Sequence, residues 1–232
     1  MKIFARIKFF YALFMIFFGM TMMIVVFPII RSPRAQKFSA WFIRLLLFIP
    51  VKVEGEFDDD VQMLLLNHES DIDIGIMETI TKHNLAWVAK KELFDVPFYG
   101  LLLKLPNDIA VERESKTALV KLIKDVKERL DDGRVITIFP EGTRSGKGKM
   151  LPFKAGAKLV AEKYKLKVQP VVIVNSARYF NIKKHHYAPG TVKVVVLDAF
   201  TVDKSDKEWY ERVRNQMQKV YDDELSKLTG DR

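Results

Sequence analysis

The run Asn67-His68-Glu69-Ser70-Asp71-Ile72-Asp73 sets one imidazole among acidic and hydroxyl side chains, directly after the apolar stretch Met63-Leu64-Leu65-Leu66. A histidine paired with a carboxylate can remove a proton from a hydroxyl near neutral pH. His68 and Asp73 are five positions apart, so on one regular helix they would point about 140° apart and never meet. A turn between them is required. Ser70 offers one: as an N-cap it would start a helix at Asp71 and let the Asp73 carboxylate reach back. Asp73 would then accept the Nδ1 hydrogen of His68, fix the tautomer and leave Nε2 as the general base. Two other readings stay open on these residues alone. Ser70-x-x-Asp73 is also a capping box with a purely structural role, and His68, Asp71 and Asp73 are of metal-ligand type. The remaining histidines, His83 and the pair His185-His186, read as surface residues.

A second chemical cluster lies in VITIFPEGTRSGKGKM, residues 135–150. Arg144 offers a planar fork that can hold a phosphate at two points, Gly142 lets backbone N–H groups approach an anion, and Thr143 adds a hydroxyl donor. Glu141 is the odd member, because a carboxylate repels a phosphate; its own chemistry points to orienting an arginine or the histidine loop. Arg113 and Lys154 can complete a basic pocket, although each reads equally well as a solvated surface charge. No Gly-x-x-x-x-Gly-Lys-Ser/Thr follows a strand, which disfavours a nucleotide hydrolase.

These residues need a scaffold that brings strand ends together. Short apolar runs at 61–66, 85–89, 109–111, 135–139, 168–174 and 192–197 alternate with helical patterns, the mark of an α/β domain with a mostly parallel sheet flanked by helices. Ser115 is expected to cap a helix with Leu119, Leu122, Ile123, Val126 and Leu130 on one stripe, ended by Asp132-Gly133. Helices are also expected over 153–165 and 207–228, the latter burying Trp209, Val213, Met217, Val220 and Tyr221. In such a sheet His68 and the 140–144 loop would both lie beyond strand carboxyl ends, where ligands bind.

Composition narrows the chemistry and its setting. The chain has 232 residues, 49% hydrophobic and 29% charged, with no cysteine. A disulfide scaffold, a thiolate zinc site and a cysteine nucleophile are therefore excluded. A net charge of +9 suits an anionic membrane, phosphorylated small molecules or nucleic acid. The N-terminus favours the membrane. Residues 9–30 carry no charge, and about 22 helical residues cover roughly 33 Å, the thickness of a hydrocarbon core; the absence of small residues at the end of the run argues against a cleaved signal. Ser32-Pro33 is expected to open a second helix to about Phe48, with Phe38, Phe42, Leu45, Leu46 and Ile49 on one arc, Arg34, Lys37 and Arg44 on another, and Trp41 near the basic arc. That is the pattern of a helix in the membrane interface, or of an ordinary helix packed on the soluble domain. Lys2, Arg6 and Lys8 before the apolar run balance Arg31, Arg34 and Lys37 after it, so charge does not set topology. A membrane-embedded hairpin over 1–50 and an α/β domain over 51–232 are expected.

With both clusters in view, the chain resembles the glycerophospholipid acyltransferase family, in particular its bacterial 1-acylglycerol-3-phosphate acyltransferases. NHESDID fits the Asn-His-x-x-x-x-Asp signature, AKKELFDVPFYG the Lys-x-Glu-Leu segment through Lys90, IAVER the second block ending at Arg113, FPEGTRS the third, and VQPVVI the fourth through Pro170. The resemblance implies that His68 and Asp73 are the catalytic dyad and that Arg113, Glu141, Gly142, Thr143 and Arg144 bind the acceptor's phosphoglycerol, with Asn67, Ser70, Lys90 and Lys154 in support. It implies acyl transfer from acyl-CoA or acyl carrier protein to lysophosphatidate, giving phosphatidate, with no cofactor, metal or nucleic acid. The phospholipid membrane is the implied partner, with the domain on the cytoplasmic face of the inner or cytoplasmic membrane. Asn107 and Ala110 depart from the family pattern, in which glycine and a bulkier apolar residue are usual; asparagine tolerates the positive φ a glycine would supply. Other acceptors, a membrane-anchored lipid-binding protein and a metal-dependent phosphohydrolase are the competing readings.

Overall fold

A computed structural model describes residues 2–30, 33–112, 116–145, 148–182, 184–188 and 190–230. The chain runs α1 (Lys2–Ile30), α2 (Pro33–Leu46), β1 (Val51–Glu54), β2 (Met63–Leu66), α3 (Asp73–Ile80), β3 (Leu85–Lys90), α4 (Lys91–Phe94), α5 (Tyr99–Lys104), β4 (Ile109–Val111), α6 (Lys116–Asp131), β5 (Val135–Ile138), α7 (Ala155–Tyr164), β6 (Lys167–Val174), α8 (Ser176–Tyr179), β7 (Phe180–Asn181), β8 (His186–Tyr187), β9 (Val192–Val196), β10 (Phe200–Thr201) and α9 (Trp209–Gly230). The main sheet has the order β1-β9-β6-β2-β5-β3-β4, with β10 beside β6. Every pairing is parallel except β6 with β9 and β10. The α/β class with a mostly parallel sheet is what the alternating runs imply.

β2 is buried along its whole length and β6 nearly so, as continuous apolar strands covered on both faces must be. Pro170 stands inside β6, where a missing N–H would ordinarily break a ladder. It falls between the β10 register at Lys167 and Val168 and the β9 register that starts at Val171, so that edge asks nothing of its nitrogen. One core holds Leu122 and Val126 of α6, Val160 of α7 and Trp209, Val213, Met217 and Tyr221 of α9. The other holds Phe9 and Ala12 of α1, Leu47 and Ile49 after α2, and Ile76 and Met77 of α3. The expected strands all form, with ends moved by one or two residues. β1 was not anticipated, since Val51-Lys52-Val53-Glu54 is largely exposed and gains its place only by pairing with β9. Ser115 and its cap lie outside the described residues.

α1 is the one described helix long and apolar enough to cross a membrane, with mean hydropathy 2.4 over its window. Phe4, Phe10, Phe14 and Phe17 lie exposed while Phe9 and Ala12 pack inward. α2 lies with Phe38, Leu45 and Phe48 outward. Its polar side faces the protein: Gln36 donates to Glu78 (3.1 Å), Lys37 to the Thr81 carbonyl (2.6 Å) and Arg44 to Thr79 (2.8 Å). Trp41 stacks beside Phe38 rather than joining the basic arc. Ile49, expected on the same arc, is buried. The partner supplied by α3 decides this. Its side chains and last turn offer acceptors that satisfy the long polar groups, leaving the apolar face uncovered.

Candidate active site

Parallel pairing of β2, β5, β3 and β4 aligns their carboxyl ends, and the segments that leave them border a cavity of about 1240 Å³. His68, Asp71, Gly142, Thr143, Arg144, Lys90 and Lys154 all line it, as do Phe17 of α1 and Arg44 of α2. Two sequence clusters 70 positions apart thus share one space with the apolar helices.

Beyond β2, Asn67 is buried and its side-chain amide closes a two-way pair with Ile173 of β6, donating to the carbonyl (2.8 Å) and accepting the N–H (2.7 Å). The next residue is His68. Its Nδ1 lies 2.9 Å from Asp73 Oδ2, which is fully buried and also accepts the N–H groups of Glu69 (2.8 Å) and Ser70 (2.9 Å). An acceptor already holding two N–H donors requires Nδ1 to carry its hydrogen, so Nε2 is the ring nitrogen left for substrate. The imidazole lies flat on Phe139 (3.9 Å between centroids, 16°), which lies on Trp87. This stack fixes the ring plane and keeps water from one face.

The turn forms by a different device from the expected cap. α3 starts at Asp73, not Asp71, and its N-cap position is Ile72 with no side-chain cap. Ser70 instead donates to the Phe180 carbonyl (2.6 Å). Only half of the capping box exists, the reach of Asp73 back to the Ser70 N–H. The hydroxyl gives its hydrogen to the Phe180 carbonyl, and its oxygen keeps a long contact, 3.5 Å, with the Ile72 N–H.

Glu141 holds the histidine loop. One carboxylate oxygen accepts the His68 N–H (2.9 Å) and the other the Leu151 N–H (2.7 Å), in a site only 1% exposed. Burial pushes its pKa up, and the two N–H donors oppose the shift. Both oxygens face the protein, so the chemistry of the residue outweighs the phosphate-binding role carried by the resemblance. Gly142 takes φ +68°, a left-handed conformation that glycine adopts without cost, and turns the chain toward Thr143 and Arg144. Arg144 forms an ion pair with Asp71 across the cavity. Among the described residues no group of three histidine, aspartate or glutamate side chains converges as a metal site. Lys90 ends β3, and Lys154 is exposed with its N–H on the Pro140 carbonyl (2.8 Å). Arg113 lies outside the described residues. Asn107 takes φ +60° in the turn before β4, the conformation expected of it.

Two further groups had no signal in the sequence. Tyr99 borders the cavity, and burial together with the nearby Asp71 raises its pKa. It is carried there by a γ-turn at Phe98 (φ +66°, Tyr99 N–H to Pro97 carbonyl 2.7 Å), whose ring stacks on Phe17 of α1. Glu69, beside the histidine, is buried and held by Tyr221 of α9.

Residues 51–174, more than half of the chain, match the family model described as Acyltransferase. The chain belongs to that family. It is 46% identical over 169 residues to the 1-acyl-sn-glycerol-3-phosphate acyltransferase of Helicobacter pylori, covering 72% of this chain and 71% of that one. It is 32% identical over 177 residues to the human 1-acyl-sn-glycerol-3-phosphate acyltransferase beta, covering 73% and 63%. The crystal structure of the 1-acyl-sn-glycerophosphate acyltransferase PlsC from Thermotoga maritima shares the fold, with TM-score 0.72 over 98% of this chain and 97% of that one at 24% identity. The fold thus persists where about three quarters of the aligned residues differ.

Proposed function

We propose that this acyltransferase moves a fatty acyl group from the thioester of acyl-CoA or acyl carrier protein to the sn-2 hydroxyl of 1-acylglycerol 3-phosphate, forming phosphatidate. The observation that carries the reading is one cavity bordered by His68, whose imidazole is paired with the buried Asp73, by Arg144 and by the apolar helix α1. Nε2 of His68 takes the hydroxyl proton as the oxygen attacks the thioester carbonyl. Asp73 stabilises the imidazolium so formed. The tetrahedral oxyanion collapses, the C–S bond breaks, and the imidazolium returns the proton to the thiolate, so no acyl-enzyme is needed. Arg144 exchanges Asp71 for the acceptor's phosphate, with Thr143, the Gly142 turn, Arg113, Lys90 and Lys154 around it, while Glu141, Asn67 and Ser70 hold the loops.

The first fifty residues form the membrane unit. The outward Phe38, Trp41, Leu45 and Phe48 of α2 and the phenylalanines of α1 enter the lipid as a hairpin on the cytoplasmic side of the inner or cytoplasmic membrane. The lysolipid then reaches the cavity without crossing water. Thiol release and lipid products, measured with both donor types across a panel of lysolipids and glycerol 3-phosphate, test the reading. His68→Ala should abolish acylation of lysophosphatidate; an undiminished rate in that variant, or a different preferred acceptor, would overturn it.

A further inference from the structure

The residue after His68 has no part in the chemistry above, yet it is built into the fold as closely as the dyad. Glu69 is 4% exposed. Its main-chain N–H binds the same Asp73 oxygen that meets His68, while its side chain runs the other way. One carboxylate oxygen accepts the Tyr221 hydroxyl hydrogen, and the other the Ser176 N–H (3.2 Å) just past β6. Arg214 and Gln218 precede Tyr221 on the same face of α9. Arg214 donates to the carbonyls of Met150 and Leu151, and Gln218 accepts the Met150 N–H. Leu151 in turn binds Glu141, which binds the His68 N–H. Two chains of hydrogen bonds thus leave one face of the C-terminal helix, one ending on the His68 N–H and the other on the side chain of Glu69, the next residue.

We infer that Glu69 and Tyr221 are positioning residues for the acyl transfer, α9 holding the catalytic turn through them, and that the proton on Glu69 sets how much negative charge stands behind His68. This rests on the acyltransferase reading for its effect on rate. The groups acting on the Glu69 carboxyl are Tyr221 from α9, the peptides of Asn175 and Ser176 after β6, and the charge of Asp73 in its own turn; Glu141 holds the adjoining His68 peptide. Two carboxyl groups buried in one turn do not ionise together freely. Burial first, and then Asp73, push Glu69 up to about 7, against the hydrogen bonds from Tyr221 and the two peptides. Above that pH Glu69 adds its negative charge to the carboxylates of Asp73 and Glu141 around His68, and proton uptake by Nε2 becomes easier.

The experiment is the pH profile of kcat for the full chain in phospholipid vesicles, measured for wild type, Glu69→Gln and Tyr221→Phe, beside their stability against pH. The acid limb of the wild type should contain one ionisation more than that of Glu69→Gln, and in that variant kcat should be reduced with the KM of the acceptor held within about twofold. In Tyr221→Phe the carboxylate loses a donor, so the neutral form gains and the upper ionisation moves to higher pH by about one unit. Stability reads the same proton without activity. Because the folded chain favours neutral Glu69, the contribution of that group is complete below about 4.5 and is lost as pH rises through about 7. The wild-type curve should therefore fall relative to Glu69→Gln across that window, and the fall should extend upward in Tyr221→Phe. Profiles that differ only by a constant factor, or a stability difference flat from pH 4.5 to 7, would overturn the inference. A wild type that releases no thiol would instead remove the acyltransferase reading and leave the stability curves to decide on Glu69.

Discussion

His68 and Arg144 line one cavity on loops that follow adjacent strands, and they are held in opposite ways. His68 is fixed everywhere but at Nε2: its N–H by Glu141, its carbonyl by the Ser145 N–H (2.9 Å), its Nδ1 by Asp73 and its ring by Phe139. Arg144 pairs with Asp71, in an ion pair about a third exposed on both sides. The reacting atom must stay where charge develops in the transition state, so its loop is preorganised. The anion binder must exchange one partner for another, so its loop keeps a weak one.

If that contrast is right, damage on the two sides differs in kind as well as size. Asp73→Asn removes the charge behind the imidazole and should lower kcat by about 10³–10⁴-fold, as at a hydrolytic triad, with little change in the acceptor's KM; steady-state kinetics at several lysophosphatidate concentrations reads both. Equal loss in kcat and affinity would break the comparison. Arg144→Ala should come next. Losing a charge-assisted fork costs about 1.5–3 kcal/mol, so KM rises roughly tenfold to a hundredfold while saturating kcat stays near wild type. The smallest effect belongs to Asp71→Asn, which frees the guanidinium from a partly exposed pair worth at most about 1 kcal/mol. Its acceptor KM should fall no more than about fivefold, and inorganic phosphate should inhibit it more strongly than wild type. A rise in KM instead would show Asp71 holding the arginine in place.

Much of this was legible because local chemistry and global placement agree. The β2, β5 and β6 runs are buried on both faces, so apolar continuity alone marks them, and the length of α1 is written in its composition. Where a residue's role depends on a remote partner, the text is silent. The side α2 turns outward is decided by acceptors on α3. Ser70 has the look of a cap but is claimed by Phe180, 110 positions away. Glu141 shows the reverse case, since the cost of a carboxylate beside a phosphate already points it toward the histidine loop. Glu69 is the clearest limit. As a letter it is an ordinary solvated glutamate, and only Tyr221, 152 positions on, makes it a buried one. The helical stripe containing Tyr221 marks the ring as inward but says nothing of where its hydroxyl ends.

The amide of Asn67 offers Ile173 the same donor and acceptor that one more residue of β2 would have presented. To the neighbouring strand it is a counterfeit peptide. The ladder is thereby completed by a side chain, and the main chain is released one step early with no bond left open behind it. The histidine can leave the plane of the sheet at that step because the sheet, by its own accounting of hydrogen bonds, has not yet ended.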